Sequence, residues 1–148
     1  LSSFCQTGEK RLRIAQIIAD NERRLVERGS ARFWKRIPVT PSNSGNQRKT
    51  NSCQRDQGWY VRLVACCVLA GNEQPMLDIG TIGMKEMYQS LGIPLANWVE
   101  AVKCLKEEAI ELLGNEDAAE ATPYFDHIIH ALALPGPPYF MNNGTQDY

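Results

Sequence analysis

Cys53, Asp56 and Tyr60 follow one another at three- and four-residue spacing within NSCQRDQGWYVRLVACCVLAGN, residues 51–72. At roughly 100° per residue they share one helix stripe with Gln57, Leu63, Val64 and Cys67. That stripe sets a thiol, a carboxylate and a phenol beside an aliphatic patch. The combination suits a pocket for a large, mostly apolar ligand with a few polar points. Nucleophilic catalysis at Cys53 would want a histidine base nearby. The two histidines, His127 and His130, come late in the chain, where they read as helix-surface or satisfied core residues. The cysteines are Cys5, Cys53, Cys66, Cys67 and Cys104. Their odd number and the lack of a CxxC argue against a disulfide framework or a metal site. Cys66, Cys67 and Cys104 read as small buried hydrophobes, whereas the polar neighbours of Cys53 put it near a surface or pocket.

An open-chain tetrapyrrole, a bilin, has the properties this stripe asks for. Asp56, one turn after the thiol, would accept its pyrrole N–H groups and favour its cationic form. Arg55 offers a propionate the bidentate geometry of a guanidinium. Trp59 and Tyr60 would pack on ring faces and restrict torsion, and the Cys53 sulfur would form a thioether to ring A. Arg55 fits less well, because an ideal helix turns it ~200° from Cys53. The plain alternative for Cys-x-Arg-Asp is a surface ion pair at a helix start. A heme-binding globin is a poor second reading, since it needs a proximal histidine.

The elements that must position these residues are all helical. The spacing predicts a first helix over 6–20, with Leu12, Ala15 and Ile18 inward. Asp20 would cap a second, 21–36, burying Leu25, Val26, Ala31, Phe33 and Trp34. Arg23, Arg24, Arg28 and Arg32 then form a solvated outer face. Residues 37–51, with two prolines and a glycine, read as a long functional loop. The Cys53 helix runs from 52 to 70 and stops at Gly71. Further helices are expected over 83–91, over 95–113 with Trp98, Val102, Leu105, Ala109 and Leu112 inward, and over 116–133 with a kink at Pro123. The Pro/Gly/Asn-rich tail reads as flexible or docked on a neighbour.

The 148 residues suffice for one domain with a real core. A net charge of −1, from 16 basic and 17 acidic residues, argues against nucleic-acid binding. No apolar run reaches the ~20 residues of a membrane span, and no signal peptide opens the sequence shown. The expectation is a soluble intracellular protein.

The segments SCQRDQGWYVRLVACCVLAGN, IGTIGMKEMYQSLGIPLANWVEAVKCLKEEAIELL and EDAAEATPYFDHIIHAL together resemble the allophycocyanin branch of the phycobiliproteins. The similarity is to the special α-type subunits of the phycobilisome core, allophycocyanin-B-like and core-membrane-linker-like chains, over residues 4–133. It implies an all-α, globin-like fold lacking the family's two N-terminal helices, with a bilin-binding domain over 1–134 and a flexible tail over 135–148. It implies a linear tetrapyrrole, biliverdin or phycocyanobilin, attached at Cys53. Arg55 would pair with a propionate and Asp56 would hold the central pyrrole nitrogens. Trp59 and Tyr60 occupy the family's aromatic pair. Tyr88 and Trp98 would stand around the outer rings, with core packing an equally weighted alternative. In the loop, Ser42–Asn43–Ser44–Gly45–Asn46 stands near the family's Gly-Gly-Asn element.

The function so implied is a chromoprotein that absorbs red or far-red light and fluoresces or transfers excitation energy. It would not be an enzyme beyond single-turnover attachment of its own pigment. A native chain would lie in the cytoplasm at the thylakoid surface with other phycobiliprotein subunits; the chain as given is expected to form a homodimer. The sequence is also similar to truncated, engineered near-infrared fluorescent proteins that take up biliverdin without a lyase. A pigment-free scaffold is the remaining alternative.

Overall fold

The computed structural model of the chain describes residues 2–37, 47–79, 86, 88, 90 and 94–133. Among them every regular element is an α-helix: α1 Ser2–Asp20, α2 Glu22–Arg36, α3 Gln47–Ala70, α4 Gln74–Ile79, α5 Leu95–Leu113, α6 Asn115–Ala118 and α7 Thr122–Ala133. This agrees with the all-α, globin-like fold expected from the sequence. Glu86, Tyr88 and Ser90 are also helical, while the rest of the helix expected over 83–91, most of the 37–51 loop and the tail fall outside the described residues.

Helix α1 lies along α3 and buries Ile14, Ala15 and Ile18. Leu12, expected inward, is 52% exposed, because it projects ~200° round the helix from Ile14. The helical run is then interrupted at the single residue Asn21. Asn21, not Asp20, occupies the N-cap of α2, and its side chain makes no cap hydrogen bond. Its amide Nδ2 instead donates to the Ile17 carbonyl at 2.8 Å, serving a carbonyl at the end of α1 where partners run out.

Helix α3 starts at Gln47, one turn and more before the expected boundary. QRKTN carries neither proline nor glycine, so nothing in it stops a helix from extending upstream. Cys53 therefore stands inside the helix rather than at its first turn. The end at Gly71 is as expected: φ is +74° and its N–H bonds the Cys67 carbonyl at 2.8 Å, a left-handed cap that glycine adopts without a Cβ clash. The expected 116–133 helix is two helices. Pro123 lies in the first turn of α7, where a missing N–H costs nothing, so the chain breaks at 119–121 instead of kinking.

The core is built from Leu25, Val26 and Phe33 of α2, Val61, Val64 and Val68 of α3, Val102, Leu105 and Ala109 of α5, and Phe125, Ile128 and Leu132 of α7. Ala31, assigned to the buried side, is exposed, and Trp34 and Leu112 are half-buried. Helices α2 and α5 approach closely at Gly29, where a Cβ would stand 3.0 Å from Leu105 Cδ2.

Two of the four arginines expected on a solvated face of α2, Arg28 and Arg32, instead pair with α5. Arg28 Nε donates to Glu108 Oε2 at 3.0 Å, and Arg32 Nη2 donates to Glu108 Oε1 and Glu111 Oε1, both at 2.8 Å. Arg36 adds bonds to Glu100 and Glu107. Burial opposes ionisation of Glu107, but Arg36 and Arg32 prevail and hold its carboxyl below the usual range. The reason is the facing sequence: α5 offers Glu100, Glu107, Glu108 and Glu111 along one side. Arg23 and Arg24 behave as expected: both are exposed, and Arg23, at 93%, pairs within its own helix with Glu27.

The Glu108 side chain is 6% exposed, so its charge depends on both arginines. Removing one partner of a buried pair strands the other. The double substitution Arg28→Ala/Arg32→Ala, which strands the buried Glu108 carboxylate, is expected to lower the urea-unfolding free energy by about 3 kcal/mol. Arg23→Ala should change it by less than about 0.5 kcal/mol.

Candidate functional site

The head of α3 brings most of the predicted residues together. Tyr60 and Tyr88 are each 1% exposed, and their hydroxyl oxygens lie 3.1 Å apart. Tyr88 also donates to Asp56 Oδ2 at 3.5 Å. The Trp98 ring, 3% exposed, stacks on Tyr88 with centroids 4.3 Å apart and planes 12° from parallel. Its edge meets Tyr60 at 6.1 Å, and Trp59 meets Tyr60 edge-on at 5.7 Å. Core packing and site membership, the two readings of Tyr88 and Trp98, are thus not exclusive. Both rings belong to the core, and the Tyr88 hydroxyl reaches Asp56.

Asp56 is half-buried, with long contacts on both oxygens: Tyr88 on Oδ2 and Arg55 Nε at 3.7 Å from Oδ1. Burial pushes its carboxyl up, and Arg55 and the Tyr88 hydroxyl pull it back only in part. Cys53 is a free, half-buried thiol against the edge of the core. Burial, then the nearby Asp56 charge, push its pKa up as well. Burial takes Tyr60 to about 12, and it raises Tyr88 further, with Tyr60 and Asp56 adding to the shift.

Arg55 does not join the aromatic cluster. Its side chain is 77% exposed, and it lines a cleft of about 520 Å³ with Gln54, Gly58 and Arg62 at the α1–α2 corner. That is the opposite side of α3, as its angular offset from Cys53 requires. Gln57, though on the predicted stripe, is 2% exposed and accepts a 2.6 Å hydrogen bond from Ser30 of α2. It holds helices together. Cys66, expected to be buried, is exposed, whereas Cys67 and Cys104 are buried. Adjacent residues diverge by ~100° on a helix, so only one of the pair can face the core. His130 is exposed, and His127 Nδ1 pairs with Glu73 at 3.1 Å. The phenol chain from Tyr60 to Asp56 had no signal in the sequence, because Tyr88 comes from a different segment.

The donor set fits a bilin. The half-buried carboxylate has room for short N–H donors. The free thiol stands one turn away, and the buried Trp98 Nε1–H finds no partner among the described residues. Comparison with known proteins gives the class. Residues 1–132 match the family described as "Phycobilisome protein", and the chain belongs to that family. Within it the chain is of the allophycocyanin α type. It is 44% identical over 135 residues to the allophycocyanin alpha-B chain of a Synechococcus strain, covering 89% of this chain and 83% of the relative. Identity to allophycocyanin subunit alpha-B of a Synechocystis strain is 45% over 136 residues, 90% and 84% of the two chains. The allophycocyanin alpha chain of Porphyra purpurea is 43% identical over 135 residues, 89% and 84% of the two chains. The function is accordingly that of a bilin-binding, light-harvesting protein of the phycobilisome core. The matches favour neither the engineered fluorescent protein nor the pigment-free scaffold.

A thiol whose pKa is raised carries less thiolate at neutral pH than an ordinary cysteine at ~8.5. Alkylation of Cys53 by iodoacetamide in the folded, pigment-free protein should therefore be slow at pH 7. It should go on rising with pH beyond the point where a model thiol levels off. Peptide mass spectrometry reads this site by site.

Proposed function

We propose that the chain carries its bilin as a thioether on Cys53, with Asp56 as acceptor for the central pyrrole N–H groups. The observation that carries the reading is a half-buried carboxylate with only long partners, one helical turn from a free, half-buried thiol. In this reading the Cys53 S–H adds across a vinyl or ethylidene double bond on ring A. The sulfur bonds one carbon, the proton goes to the other, and nothing leaves. Asp56 holds the pyrrole nitrogens protonated, since an anion beside them favours the cation. Trp59, Tyr88 and Trp98 pack against the rings and restrict torsion. Arg55 reaches a propionate from the rim of the helix and not from within the aromatic cluster. When bound, the pigment supplies the conjugated system that absorbs red light; the protein supplies rigidity and charge.

The raised pKa of Cys53 works against unassisted addition, so a lyase-dependent attachment of phycocyanobilin fits better than self-attachment of biliverdin. The proposed setting is a phycobilisome at the thylakoid surface. No helix among the described residues is long and apolar enough to cross a membrane. Leu12, Leu69 and Leu77 are each more than half exposed, and we assign their cover to other phycobiliprotein subunits or to a second copy of the chain, which sedimentation distinguishes.

The test is a denaturing gel stained with zinc after incubation with each pigment, with and without a lyase. A fluorescent band that disappears in Cys53→Ala is expected, and it should be at least tenfold stronger with lyase. No band under any condition would overturn the reading.

A further inference from the structure

Each phenol has one proton to donate, and this fixes the direction of the hydrogen-bonded chain at the head of α3. The Asp56 carboxylate can only accept, so the Tyr88 proton is committed to Asp56 Oδ2. In the 3.1 Å contact between the two hydroxyls, Tyr60 is then the donor and Tyr88 the acceptor. The order is Tyr60 to Tyr88 to Asp56. Both phenols are 1% exposed, so water does not replace either link freely. Trp98 fixes the Tyr88 ring by stacking at 4.3 Å and closes the far side of Tyr60 at 6.1 Å.

From this geometry we infer that Tyr60 is a positioning residue that acts on Asp56 through the Tyr88 hydroxyl, not a residue that packs on the pigment. This deepens the proposed function and rests on it for the role of Asp56. A donor chain of this kind polarises cooperatively: a Tyr88 hydroxyl that accepts from Tyr60 is a better donor to Asp56. It also engages Oδ2, leaving Oδ1, flanked by Arg55, as the oxygen open to a ligand. The groups facing Asp56 are Cys53, Arg55 and Tyr60 from α3 and Tyr88 from the segment after α4. Tyr60 feels the Asp56 charge but is hydrogen-bonded to it only through Tyr88. Its aromatic body still contributes to the core, so the sequence reading that set it against a ring face is revised while its membership of the site is kept.

The test is a double-mutant cycle read in the pigment-free protein. Tyr60→Phe and Tyr88→Phe keep the ring and remove only the hydroxyl, in a protein that remains folded. The Asp56 carboxyl is followed by carbon-13 NMR through an acid titration. Loss of a donor to the carboxylate raises its pKa, so Y88F should move the Asp56 midpoint upward. Y60F should move it in the same direction in the unsubstituted background and leave it unmoved in the Y88F background. Tyr124→Phe, in α7 and outside the site, should not move it. Equal shifts for Y60F in both backgrounds, or none in either, would overturn the inference. In the pigment-loaded protein the same cycle should appear in the acid midpoint at which red absorption is lost. Failure of pigment to attach to the unsubstituted chain would count against the proposed function alone, because the relay is read without pigment.

Discussion

A carboxylate that is neither in water nor well paired is the constraint on which the site depends. Burying an ionised group is costly unless hydrogen bonds and opposite charge compensate. Asp56 has a buried phenol at 3.5 Å on one oxygen and an exposed guanidinium at 3.7 Å on the other. That leaves a polar group with acceptor capacity inside an aromatic wall. Burial raises the thiol pKa at Cys53, and the Asp56 charge adds to that shift and to those of Tyr60 and Tyr88. A cationic ligand with several N–H donors relieves the constraint, and a bilin is such a ligand.

The wall is held by an ionic seam well away from the site. Trp98 sits in the first turn of α5, and α5 is pinned to α2 by Glu108 between Arg28 and Arg32. Gly29 lets the two backbones close on Leu105, and Ser30 bonds Gln57 of α3. Helix α2 thus ties both helices that carry the site, α3 with its thiol and carboxylate and α5 with its indole. A buried charge that demands two arginines also fixes the register of α2 on α5, which a purely apolar contact would leave looser.

How much of this was legible in the sequence follows from which features are local. Helix α5 was read to its ends, because Pro94 and Gly114 punctuate a clean apolar repeat. Cys53, Asp56 and Tyr60 were legible as a stripe because helical geometry fixes their angles. Arg55 was correctly read as facing away for the same reason. Features that depend on a second segment were not legible. Arg28 and Arg32 read as solvated because their carboxylate partners lie some 75 to 80 residues further on. Asn21 rather than Asp20 takes the cap because α1 runs on through Asp20 and the break before α2 is a single residue. Pro123 stopped a helix instead of bending it, since breaking just before it is cheaper than distorting around it. The resemblance to phycobiliproteins supplied Tyr88 and Trp98, which no periodicity links to Cys53.

The proposal at the centre is that Asp56, by its charge, tunes a pigment attached at Cys53. It is tested most directly by the absorption spectrum of the pigment-loaded Asp56→Asn protein, with zinc staining to verify the covalent bond. The account predicts that the pigment remains attached while the red band is lost to shorter wavelength, because the neutral amide no longer favours the protonated form. An unchanged red band on a fully attached pigment would contradict it.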